Sequence, residues 1–151
     1  MSNRVVFICT ANICRSPMAE GIFNHNAGLA GRGDLIGTSM GIQAMEGQPA
    51  SLFSQQVCNE NGIDLSGHQS RPLIGEEIRE AELILCMEKG HADFVKTFFP
   101  WHRDRIFLVG AWPNKENRKS PVEDPVGAPV EVFRQVFERL NDHILRILRH
   151  L

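Results

Sequence analysis

Three short apolar runs set the narrowest limit on how this chain folds: Val5-Val6-Phe7-Ile8, Leu83-Ile84-Leu85-Cys86-Met87 and, after Arg105, Ile106-Phe107-Leu108-Val109. None alternates apolar with polar residues. A strand that reads this way is buried on both faces, which is the situation of a parallel sheet covered by helices on each side. Residues 35–39, Leu-Ile-Gly-Thr-Ser, form a weaker fourth strand. Helical stretches fall between the runs. The first is predicted from Pro17, at the first helical position, to about residue 26, with residues 28–33 as a loop. The second spans 49–61, with Phe53 and Val57 on one face and Asn61-Gly62 as its stop. Residues 41–48 and 63–72 read as loop, 76–80 as a short helical piece, and 91–99 as a helix ended by Pro100. Residues 110–127, with Pro113, Pro121 and Pro125, read mostly as loop. Val130, Phe133, Val136, Phe137, Leu140, Ile144, Ile147, Leu148 and Leu151, mostly at steps of three and four, mark the clearest helix. The expected fold class is therefore α/β, a three-layer domain over residues 1–151 with a four-stranded parallel sheet, helices on both faces and right-handed crossovers. In such sheets ligands bind beyond the carboxyl ends of the strands.

The turn between the first strand and the first helix lies at that end. It reads Cys9-Thr10-Ala11-Asn12-Ile13-Cys14-Arg15-Ser16-Pro17. Successive backbone N–H groups at a helix N-terminus make an anion-binding nest with positive potential. A thiol at its base ionises readily, and a phosphate-sized dianion fits the same place. Five residues separate Cys9 from Arg15, enough for the loop to curl round one phosphate. The planar guanidinium then binds two oxygens at once. Thiolate attack on a phosphate ester would give a phosphocysteine that water hydrolyses. The N–H groups of Thr10, Ala11, Asn12, Ile13, Cys14, Arg15 and Ser16, with the Arg15 side chain, would hold the equatorial oxygens, and Ser16 would donate a hydrogen bond to the thiolate. Asn12 is suited to a left-handed backbone conformation within the loop.

Composition closes several other routes. The net charge of −2 gives no reason to expect nucleic acid as a partner. No run approaches the roughly 20 apolar residues of a membrane span. Met1-Ser2-Asn3-Arg4 enters the first strand without the pattern of a secretion signal, so a cytoplasmic location is expected. The four cysteines, at 9, 14, 58 and 86, form neither a disulfide framework nor a zinc-ligand pattern, and no metal or cofactor is expected.

Residues 9–17 resemble the signature loop of the low-molecular-weight protein tyrosine phosphatases, C-x-G-N-x-C-R-S-P. The resemblance extends over nearly the whole chain, through residues 62–71 and through Glu123-Asp124-Pro125, which is similar to that family's Asp-Pro loop. It implies a flavodoxin-like fold and hydrolysis of phosphotyrosine on protein substrates by a monomer or weak dimer. It implies catalytic roles for Cys9, Arg15 and Asp124, the last as general acid, with Glu123 as the nearest alternative. It implies that Ser16, Ser39 and His68 brace Asn12, and that Cys14 forms a reversible disulfide with Cys9. Two departures stand out. Ala11 occupies a usual glycine position, and the aromatic pocket walls of the family are replaced by Met45, Val126 and Gly127, so Met45 and Ile13 are left to flank a substrate ring. Trp112 reads as a loop anchor.

Three rival readings fit these residues less well. Thioredoxin-coupled arsenate reductases need two more cysteines seven positions apart, and Asp93 stands seven after Cys86, so Cys86 and Cys58 read as core thiols. A non-catalytic phosphate-binding module would not need Cys9, Arg15 and Asp124 together. Phosphoarginine hydrolases related to this family carry Thr where this chain has Ile13, and the aliphatic side chain favours an aryl ester.

Overall fold

The first apolar run forms the centre of the sheet. In a computed structural model describing residues 3–114 and 121–151, β1 (Arg4–Cys9) pairs in parallel with β2 (Ile36–Gly41) on one side and with β3 (Leu83–Cys86) on the other. β3 in turn pairs with β4 (Ile106–Leu108), giving the order β2-β1-β3-β4 with every pair parallel. Residues 1–2 and 115–120 lie outside the described residues, and with them part of the loop expected over 110–127.

Alternate residues of each strand feed two separate cores, as the period of two requires. Val5, Phe7 and Cys9, with Leu83, Leu85 and Met87, pack against α1 (Arg15–Leu29), α2 (Leu52–Glu60) and α5 (Val130–Arg149). There Phe7 meets Phe23 of α1 edge-on with ring centroids 5.6 Å apart. Val6 and Ile8, with Ile84, Cys86, Ile106 and Leu108, pack on the opposite face against α3 (Gly75–Glu80) and α4 (Lys89–Phe98). The helix stripe expected from residue 130 onward is the buried face of α5, with Val136, Leu140, Ile144 and Ile147 fully enclosed. The three-layer α/β architecture is the one the apolar runs imply.

Several boundaries differ from the sequence reading. α1 begins at Arg15, so Pro17 is its third residue rather than its first. The missing proline N–H still falls in the first turn, where no carbonyl awaits it. α1 also continues through Gly28 to Leu29. Its stop is Gly31, whose φ of +70° turns the chain so that the N–H groups of Gly31 and Arg32 bond back to the Gly28 and Ala27 carbonyls. Gly62 closes α2 in the same way, with φ +75°. α2 starts at Leu52, three residues later than expected, because the Ser51 hydroxyl accepts the Ser54 N–H and caps it. α4 starts two residues early at Lys89, and a short 3₁₀ helix, Pro100–Arg105, precedes β4.

β2 reaches Gly41, a residue expected in a loop. Its N–H donates to the Arg71 carbonyl, and its Cα pairs with that of Cys9. A side chain there has no room: a Cβ on Gly41 would lie 2.6 Å from the Thr10 carbonyl oxygen and 2.8 Å from the Asn12 nitrogen. Both are backbone atoms of the turn after β1, which cannot step aside. Gly41→Ala is therefore expected to displace that turn at a cost of about 1–3 kcal/mol. Urea unfolding together with inorganic phosphate binding checks this, and an alanine variant with unchanged stability and phosphate affinity would contradict it.

Candidate active site

The turn from Cys9 to Ser16 closes around one residue. Asn12 is the one described non-glycine residue with positive φ, +58°, and it is fully buried. Its side-chain amide donates to Ser16 Oγ at 2.8 Å and to Ser39 Oγ at 2.9 Å. Its Oδ1 accepts the Arg71 N–H at 2.9 Å, which settles the orientation of the amide. His68 Nε2 donates to the Asn12 carbonyl at 2.7 Å. Ser16, Ser39 and His68 thus all meet Asn12, with His68 on its backbone rather than its side chain.

The hydrogen bonds also have a direction. Ser16 Oγ receives the Asn12 amide, so its own proton is free for Cys9 Sγ, 2.9 Å away. The Asn12 N–H is 3.3 Å from the same sulfur. Two polar groups, the Ser16 hydroxyl and the Asn12 N–H, therefore converge on Cys9 Sγ. On the far side Ser39 donates to Glu20 Oε1 at 2.8 Å. Burial raises the Glu20 pKa, opposed by that same Ser39 bond and by the charges of His68 and Arg71. Arg71 also ties its guanidinium to the Ser39 carbonyl and to Glu77 on α3.

Arg15, on the first turn of α1, is only 2% exposed, so its charge needs partners. Nη1 lies 2.5 Å from Glu88 Oε1 and donates to the Val122 carbonyl at 3.0 Å. Nη2 lies 3.7 Å from Asp124 Oδ2 and 3.5 Å from Thr10 Oγ1. Asp124 is half exposed, and its Oδ1 accepts the Val126 N–H at 3.1 Å. Glu123 points elsewhere, to Arg139 at 3.0 Å. Cys14, the N-cap of α1, is buried; burial pushes its thiol upward against a Ser51 hydrogen bond, and the charges of Asp124 and Cys9 push the same way.

Beside the loop Ala11, Ile13, Met45, Gln48 and Leu52 line an open cleft of about 440 Å³ that contains no charged side chain. Met45 is largely exposed there. Trp112 packs on the core and edge-on to His150, as a loop anchor does. Cys58 and Cys86 are fully buried; burial pushes the Cys58 thiol up to about 12 and Cys86 further still. Asp93 is exposed on α4, so no second thiol lies at the position a disulfide relay would need. Among the described residues no group of three or more His, Cys, Asp or Glu is placed to hold a metal ion.

A buried cysteine in a backbone cradle, a guanidinium beside it and a carboxylate facing that guanidinium suit phosphoryl transfer to sulfur. Comparison with known proteins agrees: residues 4–151 match the family model described as low molecular weight phosphotyrosine protein phosphatase. The chain belongs to that family. Membership brings protein phosphatase activity by a cysteine-based mechanism. The phosphatase is 34% identical over 151 residues to a protein-arginine-phosphatase of Geobacillus stearothermophilus, covering 100% of this chain and 97% of that one. It is 34% identical over 142 residues to a probable low molecular weight protein-tyrosine-phosphatase of Erwinia amylovora, covering 94% and 92%. The crystal structure of the low molecular weight protein tyrosine phosphatase from T. tengcongensis superimposes with a TM-score of 0.91 at 39% identity, over 98% of this chain and 99% of that one.

The residues that sequence reading passed over are Gly41, Arg71, Glu20, Glu88 and His91. Glu88 and His91 follow β3, the strand beside β1, so the strand order β2-β1-β3-β4 puts them at the switch point where the chain departs in opposite directions. His91 is 4% exposed; burial, then the Arg15 charge, pushes its pKa below the usual value, against Glu88 and Asp124. The unfolded chain therefore takes up this proton first as pH falls, and stability drops below the ordinary histidine range until the folded site also protonates. Between about pH 7.5 and about pH 5.5 the urea midpoint of the wild type should fall further than that of His91→Gln. An identical fall in both proteins would contradict this.

Proposed function

We propose that the phosphatase hydrolyses phosphotyrosine on protein substrates, with Cys9 as nucleophile, Arg15 as oxyanion clamp and Asp124 as general acid. The observation that carries this is the pair of donors on Cys9 Sγ, Ser16 Oγ at 2.9 Å and the Asn12 N–H at 3.3 Å. The thiolate attacks phosphorus, the P–O bond to the aryl oxygen breaks, and Asp124 gives its proton to the departing phenolate. Water then attacks the phosphocysteine, Asp124 takes back a proton, and inorganic phosphate and the Cys9 thiolate are regenerated. The reaction balances with water alone and calls for neither metal nor cofactor. The backbone N–H groups from Thr10 to Ser16 and the Arg15 guanidinium bind the phosphoryl oxygens through both steps. Asn12, Ser16, Ser39 and His68 hold the loop in that shape.

Ile13 and Met45 flank the substrate ring by dispersion alone. Ile13 presents no hydrogen-bonding group to a guanidinium, which favours an aryl ester over phosphoarginine, the substrate class named for the Geobacillus relative. Cys14, kept as a thiol by burial, serves as the reversible disulfide partner of Cys9 after peroxide oxidation. The chain acts as one phosphatase domain, in the cytoplasm, as a monomer or weak dimer. Among the described residues no helix is long and apolar enough to cross a membrane.

Hydrolysis of aryl phosphates with graded leaving groups, and of phosphoarginine, tests the scheme. Cys9→Ser should abolish turnover. Asp124→Ala should lose about a hundredfold or more in kcat with poor leaving groups and far less with good ones. Full activity of Cys9→Ser, an equal loss across leaving groups for Asp124→Ala, or faster turnover of phosphoarginine than of phosphotyrosine would contradict it.

A further inference from the structure

One buried titratable side chain beside the site has no part in the chemistry just described. His91, in the first turn of α4, places its ring Nε2 2.9 Å from Thr10 Oγ1 and 3.9 Å from Glu88 Oε1. Its Nδ1 is buried and meets no hydrogen-bond partner among the described residues. Burial and the neighbouring Arg15 keep the ring neutral, so it carries one proton. A buried N–H left without an acceptor is rarer and costlier than a lone pair left without a donor. The proton therefore sits on Nε2 and is donated to Thr10 Oγ1. The same oxygen lies 3.5 Å from Arg15 Nη2, and a guanidinium can only donate. Thr10 Oγ1 thus receives one N–H from His91 and one from Arg15. Its own hydroxyl proton is left for an oxygen of a phosphoryl group bound in the loop.

We propose that His91 is a positioning residue that acts through Thr10. Together they steady Nη2 of Arg15, while Glu88 and the Val122 carbonyl hold Nη1. Arg15 then meets the phosphoryl group in one orientation, and the Thr10 hydroxyl adds a donor to the cradle. This rests on the phosphatase reading above. It assigns a task to a threonine whose backbone alone the loop scheme uses, and to a histidine it does not use at all.

A double-mutant cycle on aryl phosphate hydrolysis tests it. His91→Leu should lower kcat/KM about tenfold, as should Thr10→Val, which removes the hydroxyl and keeps the shape. The double variant should be no worse than Thr10→Val alone, because one residue acts through the other. His91→Gln, whose amide reaches the position of Nε2, should stay within about threefold of wild type. His91→Asn, polar but too short for Thr10, should behave like His91→Leu and serves in its place if the leucine variant unfolds. Losses that multiply in the double variant, a glutamine variant as impaired as the asparagine one, or no loss in either would overturn the proposal. If the wild type hydrolyses no aryl phosphate, the phosphatase reading fails by itself. The same variants, ranked by affinity for inorganic phosphate, still judge the link between His91 and Thr10.

Discussion

The site depends on a single residue held against its own backbone preference. Asn12 takes a φ of +58° with its side chain fully buried, and that conformation turns the chain between β1 and α1. Asparagine tolerates this region better than most residues, but a buried amide is affordable only if its donors and acceptor are all engaged. Ser16, Ser39 and the Arg71 N–H engage them. Because each partner comes from a different segment, the same bonds lock α1, β2 and the chain before α3 around the turn. They also leave the Ser16 hydroxyl 2.9 Å from Cys9 Sγ, so the support of the loop and the surroundings of its sulfur share one residue.

The second constraint is the burial of Arg15. A guanidinium almost fully withdrawn from water requires compensating charge, and Glu88 and Asp124 provide it while remaining half exposed themselves. Both carboxylates therefore reach solvent while paired with the buried guanidinium. Asp124 stands beside Arg15, whereas the adjacent Glu123 is drawn off to Arg139. The cleft past Ile13 and Met45 is lined by apolar and uncharged polar side chains.

Much of this was legible in the residues. Unbroken apolar runs imply a parallel sheet with two covered faces, and the turn from Cys9 to Pro17 sits at the strand end where such sheets bind ligands. Asn12 as a left-handed residue follows from its residue type, and Cys58 and Cys86 as core thiols from Asp93 standing seven positions after Cys86. The bounds of α1 did not: Gly28 reads as a break, yet the helix continues until Gly31 reverses the chain. The neighbours Glu88, His91 and Arg71 depend on which strand lies beside β1, and no local pattern encodes that order. Gly41 is a similar case, for its lack of a side chain matters only because Thr10 and Asn12 pass within 3 Å of where one would be.

The central claim is that the Cys9 sulfur, held against Ser16 and Asn12, becomes phosphorylated during turnover. Acid quenching of Asp124→Ala during hydrolysis of a good aryl phosphate, followed by mass spectrometry of the Cys9 peptide, tests it directly. A phosphate adduct on Cys9 that vanishes as substrate is exhausted is the expected result. Steady turnover with Cys9 unmodified throughout would contradict the account.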